Sequence, residues 1–195
     1  MKKFIYLSMK LLGIVLFKIL FCLEVKGKEN IPKKGPFILA SNHTSYLDPV
    51  ILGVASPRPL YYLAKISLFK NPVFSSFIQI LGAIPLERDS SSPYTLRDAL
   101  KLIKNGHGVV IFPEGTRSED GKIKDGKGGV GFLSIKSNAP VIPVKIKGTG
   151  KVLPVKGKFI KPAKVKVIFG QPLYFEKENY SEIGKIVMEK VRSLE

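Results

Sequence analysis

Residues 36–49 read PFILASNHTSYLDP, an apolar run that turns polar and then reaches a proline. The run over 37–41 predicts a buried strand, because it is short, apolar and bounded by residues that end strands. Asp48 and Pro49 predict the start of a helix over 48–56, with Asp48 as its N-cap and proline at the first helical position. A strand that leads through a polar loop into a helix is the repeating unit of an α/β fold.

The same alternation of strand and helix signals continues along the 195 residues. Short apolar runs between Gly and Pro residues predict strands over 23–26, 37–41, 60–64, 83–87, 108–112, 141–147 and 164–169. Helical patterns occupy 48–56, 72–81, 93–104, 128–137 and 178–193. We expect one α/β domain over 23–195, with a mixed, largely parallel sheet flanked by helices and preceded by a membrane-associating helix over 1–22.

The N-terminal segment is apolar with a narrow basic side. Residues 4–23 are apolar except for Ser8, Lys10 and Lys18. A helix of this length is about 30 Å long, enough to cross a bilayer. Lys3, Lys10 and Lys18, however, fall within an arc of about 80° around such a helix. That pattern favours a helix lying in the membrane interface, and a spanning helix or a helix packed on its own domain are the alternatives.

The chain is strongly basic, with 32 Lys and Arg against 15 Asp and Glu and a formal charge of +17. Such an excess favours polyanionic partners, whether nucleic acid, anionic lipid or phosphorylated substrates. Only five of these residues are Arg, and lysine suits diffuse attraction to a charged surface, so the balance favours a membrane. Residues 145–166 carry eight lysines and no acid, and they either face anionic lipid or an acyl donor or form a solvated surface.

Cysteine and histidine usage excludes two kinds of site. The single cysteine, Cys22, excludes an intramolecular disulfide and is compatible with a reducing compartment. Two histidines without a cysteine cluster give no metal-ligand spacing. We therefore expect no structural metal.

Residues with catalytic potential follow the strand at 37–41. His43 lies just past the strand end and ahead of a helix, where α/β proteins place their sites. An imidazole can accept a proton near neutral pH, and a carboxylate on its other nitrogen fixes the tautomer and stabilises the cation. Asp48 can supply that carboxylate if the loop turns back before the helix. Spacing alone, however, favours a simpler interpretation, in which Asp48 is only an N-cap and His43 a turn residue.

Two further strands end in residues that suit a phosphate. The segment FPEGTRS at 112–118 contains Gly115, which permits close approach of the backbone, and the three residues after it supply hydrogen-bond donors. The segment GAIPLER at 82–88 places Arg88 at the end of another predicted strand. A surface ion pair is the alternative for each arginine taken alone.

Taken together, these segments carry a resemblance. NHTSYLD at 42–48, GAIPLER at 82–88, FPEGTRS at 112–118 and VIPV at 141–144 resemble the ordered motifs of the glycerophospholipid acyltransferases. They are most similar to those of the 1-acylglycerol-3-phosphate O-acyltransferases (lysophosphatidate acyltransferases), over roughly residues 24–170. A lone His-x4-Asp is a weak signal, whereas all the motifs in register are specific.

The resemblance implies a role for each matching residue. His43 is the general base for the free glycerol hydroxyl, and Asp48 orients it. The acceptor phosphate is held by residues of two motifs: Arg88, Glu114, Gly115, Thr116 and Arg117.

Three further residues have weaker assignments by the same resemblance. Ile142 and Pro143 help to shape the acyl or donor side. Lys65 matches a lysine that the family commonly follows, two residues later, with a glutamate, but Ser67 stands at that position. Its phosphate contact therefore lacks the expected companion.

The implied reaction is direct transfer of an acyl group from acyl carrier protein or coenzyme A to the sn-2 hydroxyl of 1-acylglycerol 3-phosphate. The product is phosphatidic acid, for phospholipid biosynthesis, and no metal or bound cofactor is expected. The implied partners are anionic membrane lipids, lysophosphatidic acid and the thioester donor, with no nucleic acid. The implied location is the cytoplasmic face of the cell membrane, as a monotopic or peripheral enzyme.

Three alternatives differ in chemistry. The acceptor can be another lysolipid, such as lyso-ornithine lipid, because acceptor choice depends on pocket shape. A non-catalytic lipid-binding module is disfavoured because both His43 and Asp48 are present. Nucleic-acid binding explains the charge but leaves the apolar N-terminus and the motifs unexplained.

Overall fold

The computed structural model of the chain describes residues 2–86, 93–157, 159–176 and 179–195. Within these ranges only the backbone is described at positions 2–7, 9, 10, 14, 16, 65, 74, 77, 86 and 93.

The described residues contain seven strands and seven α-helices, with short 3-10 helices at Lys28–Asn30 and Ile66–Phe69. The strands are β1 Glu24–Lys26, β2 Phe37–Ser41, β3 Leu60–Lys65, β4 Ala83–Leu86, β5 Gly108–Ile111, β6 Val141–Lys147 and β7 Lys166–Phe169. The helices are α1 Lys2–Phe21, α2 Asp48–Ala55, α3 Pro72–Ile80, α4 Pro93–Lys104, α5 Gly129–Ser137, α6 Thr149–Val152 and α7 Tyr180–Ser193. From β2 onwards strands and α-helices alternate, whereas β1 and β2 are joined through the first 3-10 helix. Each strand and helix predicted from the sequence is present, and the short α6 is an addition.

The strands form one sheet in the order β1-β7-β6-β2-β5-β3-β4. Every neighbouring pair is parallel except β6 and β7, which are antiparallel. The prediction of a mixed, largely parallel sheet in a single α/β domain is therefore confirmed. Because parallel strands end at the same edge, the loops that follow β2, β5 and β6 meet there.

The central strand β2 shows how the sheet is covered on both sides. All five of its residues are buried, and alternate side chains enter opposite cores. Phe37 and Leu39 join a core with residues of α1 and α2, whereas Ile38 and Ala40 join one with residues of α4, α5 and α7. A continuous apolar run is the pattern expected for a parallel strand buried on both faces.

Helix α1 packs on the domain through one side only. A Cβ added at Gly13 would lie 2.9 Å from Val54 in α2, and Phe17 and Phe21 are buried in the core. Large apolar side chains on the remaining surface of α1 are exposed: Leu11, Leu12, Val15, Ile19 and Leu20. Among the described residues, no helix has both the length and the apolar character needed to cross a membrane.

Candidate active site

The loop after β2 is fixed at its first residue by a side-chain bridge to β6. The buried amide of Asn42 donates to the carbonyl oxygen of Ile146 at 3.0 Å and accepts from the backbone N–H of Ile146 at 2.8 Å. Both backbone groups of a β6 residue are thereby paired by one side chain. The bridge holds the start of the loop at the carboxyl edge of the sheet.

The carboxylate of Asp48 organises the rest of this loop. It is fully buried, and its Oδ2 accepts from the backbone N–H of Thr44 at 2.7 Å and of Ser45 at 2.8 Å. The same oxygen lies 2.8 Å from Nδ1 of His43. Its other oxygen, Oδ1, is buried without a hydrogen-bond partner in the described parts of the chain.

The predicted N-cap role of Asp48 is wrong. The N-cap position is occupied by Leu47, and Asp48 is the first residue of α2, with Pro49 behind it. The side chain of Asp48 turns back towards the loop, because the loop N–H groups and the imidazole satisfy Oδ2 there. The loop conformation needed for a His–Asp pair is therefore the one that forms.

The imidazole of His43 is held from several directions. Its backbone N–H donates to Oε1 of Glu114 at 2.9 Å, and its carbonyl accepts from the N–H of Ser118 at 2.8 Å. Its ring stacks on Phe112, with the ring centroids 3.9 Å apart. Because a carboxylate faces Nδ1, the hydrogen-bond network assigns the proton to Nδ1 and leaves a lone pair on Nε2. Nε2 can therefore accept a proton.

Arg117 lies next to that lone pair. Its Nε is 3.4 Å from Nε2 of His43, and its guanidinium carbon lies 3.7 Å from the ring centroid of Tyr46. This is a cation–π contact, which restrains the guanidinium on an exposed aromatic face. An anion bound to Arg117 would place its neighbouring atoms beside the basic nitrogen of His43.

Glu114 braces the loop from inside. It is buried, and its two oxygens accept from the backbone N–H groups of His43 at 2.9 Å and Lys124 at 3.0 Å. Both oxygens thus accept hydrogen bonds from the chain, and Glu114 supports the backbone of His43. Its contact with the acceptor phosphate, which the resemblance implied, stays a prediction.

Gly115 and Thr116 lie at the open side of the same loop. Gly115 has a φ of +74°, a left-handed conformation that favours glycine. A Cβ placed there would lie 3.1 Å from Nζ of Lys127, so an ammonium group stands beside the glycine. Thr116 is exposed. The loop thus presents a lysine and an arginine around a glycine, which suits an anion.

Two acidic residues follow this loop, and each is engaged by a local partner. The hydroxyl of Ser118 and the backbone N–H of Lys122 donate to Asp120 and hold the pKa of its carboxyl below the usual range. Glu119 lies 2.6 Å from Lys156, and its hydrogen bond and negative charge raise the pKa of that ammonium. These pairings tie the loop to itself and to the chain that follows α6.

The remaining predicted site residues are not brought to the His–Asp pair by any described contact. Arg88 lies outside the described residues, and for Lys65, the last residue of β3, only the backbone is described. Ile142 and Pro143 lie inside β6, opposite Leu39 and Ala40 of β2, and both are buried. Their assignment to the donor side stays a prediction.

Several contributors to the site were not predicted individually. Asn42, Tyr46 and Phe112 lie inside the quoted motifs, but their roles depend on partners distant in the sequence. Lys127 lies beyond the motif and reaches Gly115 only through the fold. The one signal in the sequence that could have indicated these residues was their position. Each lies in, or close to, a loop that follows a predicted strand.

The sequence is similar to those of known acyltransferases. A family model described as Acyltransferase matches residues 22–147, more than half of the chain. The 1-acyl-sn-glycerol-3-phosphate acyltransferase of Bacillus subtilis is 32% identical over 182 residues, which cover 88% of this chain and 87% of that protein. The chloroplastic 1-acyl-sn-glycerol-3-phosphate acyltransferase LPAT1 of Arabidopsis thaliana is 29% identical over 90% of this chain, which spans 50% of that protein.

A solved structure extends the likeness to the whole fold. The crystal structure of the 1-acyl-sn-glycerophosphate (LPA) acyltransferase PlsC from Thermotoga maritima has a TM-score of 0.80 and 30% identity. The match covers 98% of this chain and 81% of that one. The chain belongs to the acyltransferase family, and the resemblance that its motifs carry is confirmed.

Proposed function

We propose that the protein transfers an acyl group from a thioester, acyl carrier protein or coenzyme A, to the sn-2 hydroxyl of 1-acylglycerol 3-phosphate. The product is phosphatidic acid. The observation that carries the proposal is the basic Nε2 of His43 standing 3.4 Å from Arg117, with Asp48 behind the imidazole. The names of the relatives from B. subtilis and A. thaliana, which share this acceptor, support it.

The His–Asp pair performs the proton transfers. Nε2 of His43 takes the proton of the acceptor hydroxyl as its oxygen attacks the thioester carbonyl, and the imidazolium formed is stabilised by the Asp48 carboxylate. The tetrahedral intermediate then collapses to the ester, the C–S bond breaks, and the departing sulfur takes the proton from the imidazolium. The base is restored, and no acyl-enzyme forms.

Cationic residues around Gly115 hold the acceptor beside the base. Arg117 and Lys127 bind the phosphate, with Thr116 and the Gly115 backbone at its edge, and Arg88 completes the set from the adjacent motif. A hydroxyl at Nε2 replaces the long contact from Arg117, which stays within reach of the phosphate. Glu114 acts as a positioning residue, because it fixes the backbone of His43. The chemistry requires no metal or bound cofactor.

The enzyme works at a membrane surface in this proposal. The exposed apolar side of α1 enters the interface from the cytoplasmic face, and the exposed Lys18 contacts anionic headgroups. The protein is then monotopic or peripheral. An amphiphilic acceptor can reach His43 from the bilayer while a water-borne donor arrives from the other side.

The deciding experiment is an acyl-transfer assay with a panel of lysolipids and both donor types. His43→Ala should lose about 10² to 10⁴ in rate while it keeps the wild-type circular dichroism spectrum. His107→Ala is the matched control, because His107 packs on Tyr61 just before β5, at the opposite edge of the sheet. Transfer to a different lysolipid, such as lyso-ornithine lipid, would correct the acceptor, and a folded, fully active His43→Ala protein would refute the mechanism.

A further inference from the structure

The segment between α6 and β7 has an exposed apolar tip among lysines. Residues 153–164, here called the basic loop, contain Phe159 with 79% of its surface exposed and Ile160 with 59% exposed. The backbone N–H of Lys161 donates to the carbonyl of Val152 at 2.8 Å, which closes the base of the loop. The tip therefore projects from a fixed base with two large apolar side chains uncovered.

The charged residues of the basic loop are all lysines. Lys156, Lys161 and Lys164 are exposed, and the stretch 145–166 contains no acidic residue. Two of these lysines pair with acids outside the loop, Lys156 with Glu119 and Lys164 with Glu24 at 3.5 Å. Apolar residues flanked by lysines suit a surface that is anionic outside and apolar beneath, which is the profile of an anionic bilayer. Phe159 and Ile160 are adjacent and both largely exposed, whereas a purely electrostatic contact needs only the lysines.

The basic loop lies at the same edge of the sheet as the catalytic pair. The hydroxyl of Ser45 donates to the carbonyl of Leu153 at 2.8 Å. Lys156 pairs at 2.6 Å with Glu119, the residue after the 112–118 segment. Both flanks of the active site are therefore tied to the base of the basic loop. The depth at which the tip sits in a membrane would set the height of His43 above it.

The loop also ends against the C-terminus of α1. The backbone N–H of Val165, directly after the loop, donates to the carbonyl of Phe21 at the end of α1 at 2.9 Å. The base of the loop is thus joined to the end of the helix whose other side chains are exposed and apolar.

We infer that Phe159 and Ile160 insert into the anionic membrane as a second anchor beside α1. The inference rests on the proposed activity at a membrane surface. One anchor packs on α2 and the other is hydrogen-bonded through Leu153 to Ser45 in the loop that carries His43, so together they set the orientation of the site as well as its attachment. A second point of insertion restricts tilting of the domain about the axis of α1.

The chain contains no tryptophan, so Phe159→Trp introduces a single fluorescent reporter at the tip. With vesicles of phosphatidylglycerol and chain-brominated phosphatidylcholine, its emission should shift to the blue and be quenched by the bromines. Tyr174→Trp is the control, because Tyr174 is 73% exposed and follows Leu173, which pairs with Val141 at the opposite end of β6. A vesicle-bound Phe159→Trp protein whose tryptophan emission is neither shifted nor quenched would overturn the inference.

A second variant tests the consequence for function. The double variant Phe159→Ser with Ile160→Ser should bind vesicles about tenfold or more weakly, because it lacks the two large apolar side chains whose transfer from water into the bilayer favours binding. Activity on vesicle-embedded acceptor should fall in parallel, whereas activity on a short-chain, monomeric acceptor should stay unchanged. The control variant Tyr174→Ser should keep wild-type activity on both acceptors. Normal vesicle binding with a raised KM for acyl carrier protein would make the tip a donor contact and overturn the inference. Wild-type protein that acylates neither acceptor would instead refute the proposed function.

Discussion

The imidazole of His43 is restrained by groups from two different segments of the chain. Asp48, the first residue of α2, fixes one ring nitrogen, and Phe112 stacks on the ring from just after the end of β5. Glu114 holds the backbone of the same residue through a buried carboxylate. Because each restraint acts on a different part of His43, the lone pair of Nε2 points to one place. That place is beside Arg117, where the acceptor phosphate is expected.

Asp48→Asn separates the geometry of the pair from its charge. The amide oxygen can still accept the loop N–H groups, so the fold should persist, but the charge that stabilises the imidazolium is lost. The amide nitrogen must also occupy the buried position of Oδ1, where the described residues offer no partner. We expect the turnover number to fall by about 10² to 10⁴. The free energy of unfolding should fall by about 1–3 kcal/mol.

Steady-state kinetics and urea denaturation measure the two effects of Asp48→Asn separately. A folded variant with a wild-type turnover number would show that the carboxylate charge has no part in the reaction. A large loss of stability with an unchanged turnover number would leave Asp48 as a purely structural residue.

Arg117→Ala should act mainly on acceptor binding. A charge-assisted hydrogen bond contributes about 1.5–3 kcal/mol, so the acceptor KM should rise about tenfold or more. Tyr46→Ala should have a smaller effect in the same direction, because it removes only the aromatic face under the guanidinium, and Tyr46→Phe should restore it. Titrations of lysophosphatidic acid at saturating donor measure this. Arg97→Ala, an exposed arginine of α4, is the control, and an unchanged KM in Arg117→Ala would contradict the assignment.

At the scale of elements, the bridge from β2 to β6 shows how the sheet shapes the site. Asn42→Ala removes both bonds to Ile146 and leaves a buried backbone N–H and C=O without that side chain. Unpaired buried groups are costly, so the free energy of unfolding should fall by about 2 kcal/mol or more. Activity should fall as well, since His43 is the next residue. Thermal denaturation against Asn105→Ala, in an exposed turn, gives the measurement, and equal melting temperatures would contradict the role of the bridge.

The strands and longer helices could be predicted because their cause is local. β2 is a continuous apolar run, and a short run of that kind between polar turns predicts a buried strand. The role of Asp48 could not be decided in this way. Whether its carboxylate caps α2 or turns back depends on donors at His43, Thr44 and Ser45, and their positions follow from the Asn42 bridge to β6.

The candidate site divides along the same line. The motif residues were predicted by resemblance, but the support from Phe112 and Tyr46 comes from contacts across the fold. Glu114 illustrates the limit most clearly, since its motif position suggested phosphate contact, while its hydrogen bonds to the backbone of His43 and Lys124 depend on the fold. Sequence position thus identified the 112–118 loop as part of the site, and the contacts of each residue within it depend on the fold.

At the scale of the whole molecule, charge and apolar surface act together. The net charge of +17 draws the protein to any anionic surface, but that attraction is screened over about 10 Å at moderate salt. The uncovered side chains of α1 add an apolar contribution that salt does not screen. In the proposed arrangement, the first contribution favours encounter with the membrane, and the second holds the protein at its surface.

The attachment of α1 can therefore be tested by salt and by topology together. High salt alone should loosen but not release the wild-type protein from anionic vesicles. High salt should release the double variant Leu12→Gln with Ile19→Gln. Both side chains are exposed, so they contribute to the expected bilayer contact rather than to the core. Phe17→Gln is unsuitable for this purpose, since Phe17 is buried against the domain and its loss would disturb the fold. Sedimentation with vesicles over a salt series gives the measurement.

Topology follows from single cysteines on a Cys22→Ser background, one at Lys3→Cys near the start of α1 and one at Lys28→Cys, beyond its end and just after β1. In the enzyme bound to sealed vesicles, an impermeant maleimide added outside should label both positions, because a helix lying in the interface keeps both ends on one side. The close approach of Gly13 to Val54 supports this result, since α1 cannot leave α2 and cross the bilayer without losing that packing. Labelling of the two cysteines from opposite sides would establish a spanning helix and refute the interfacial arrangement.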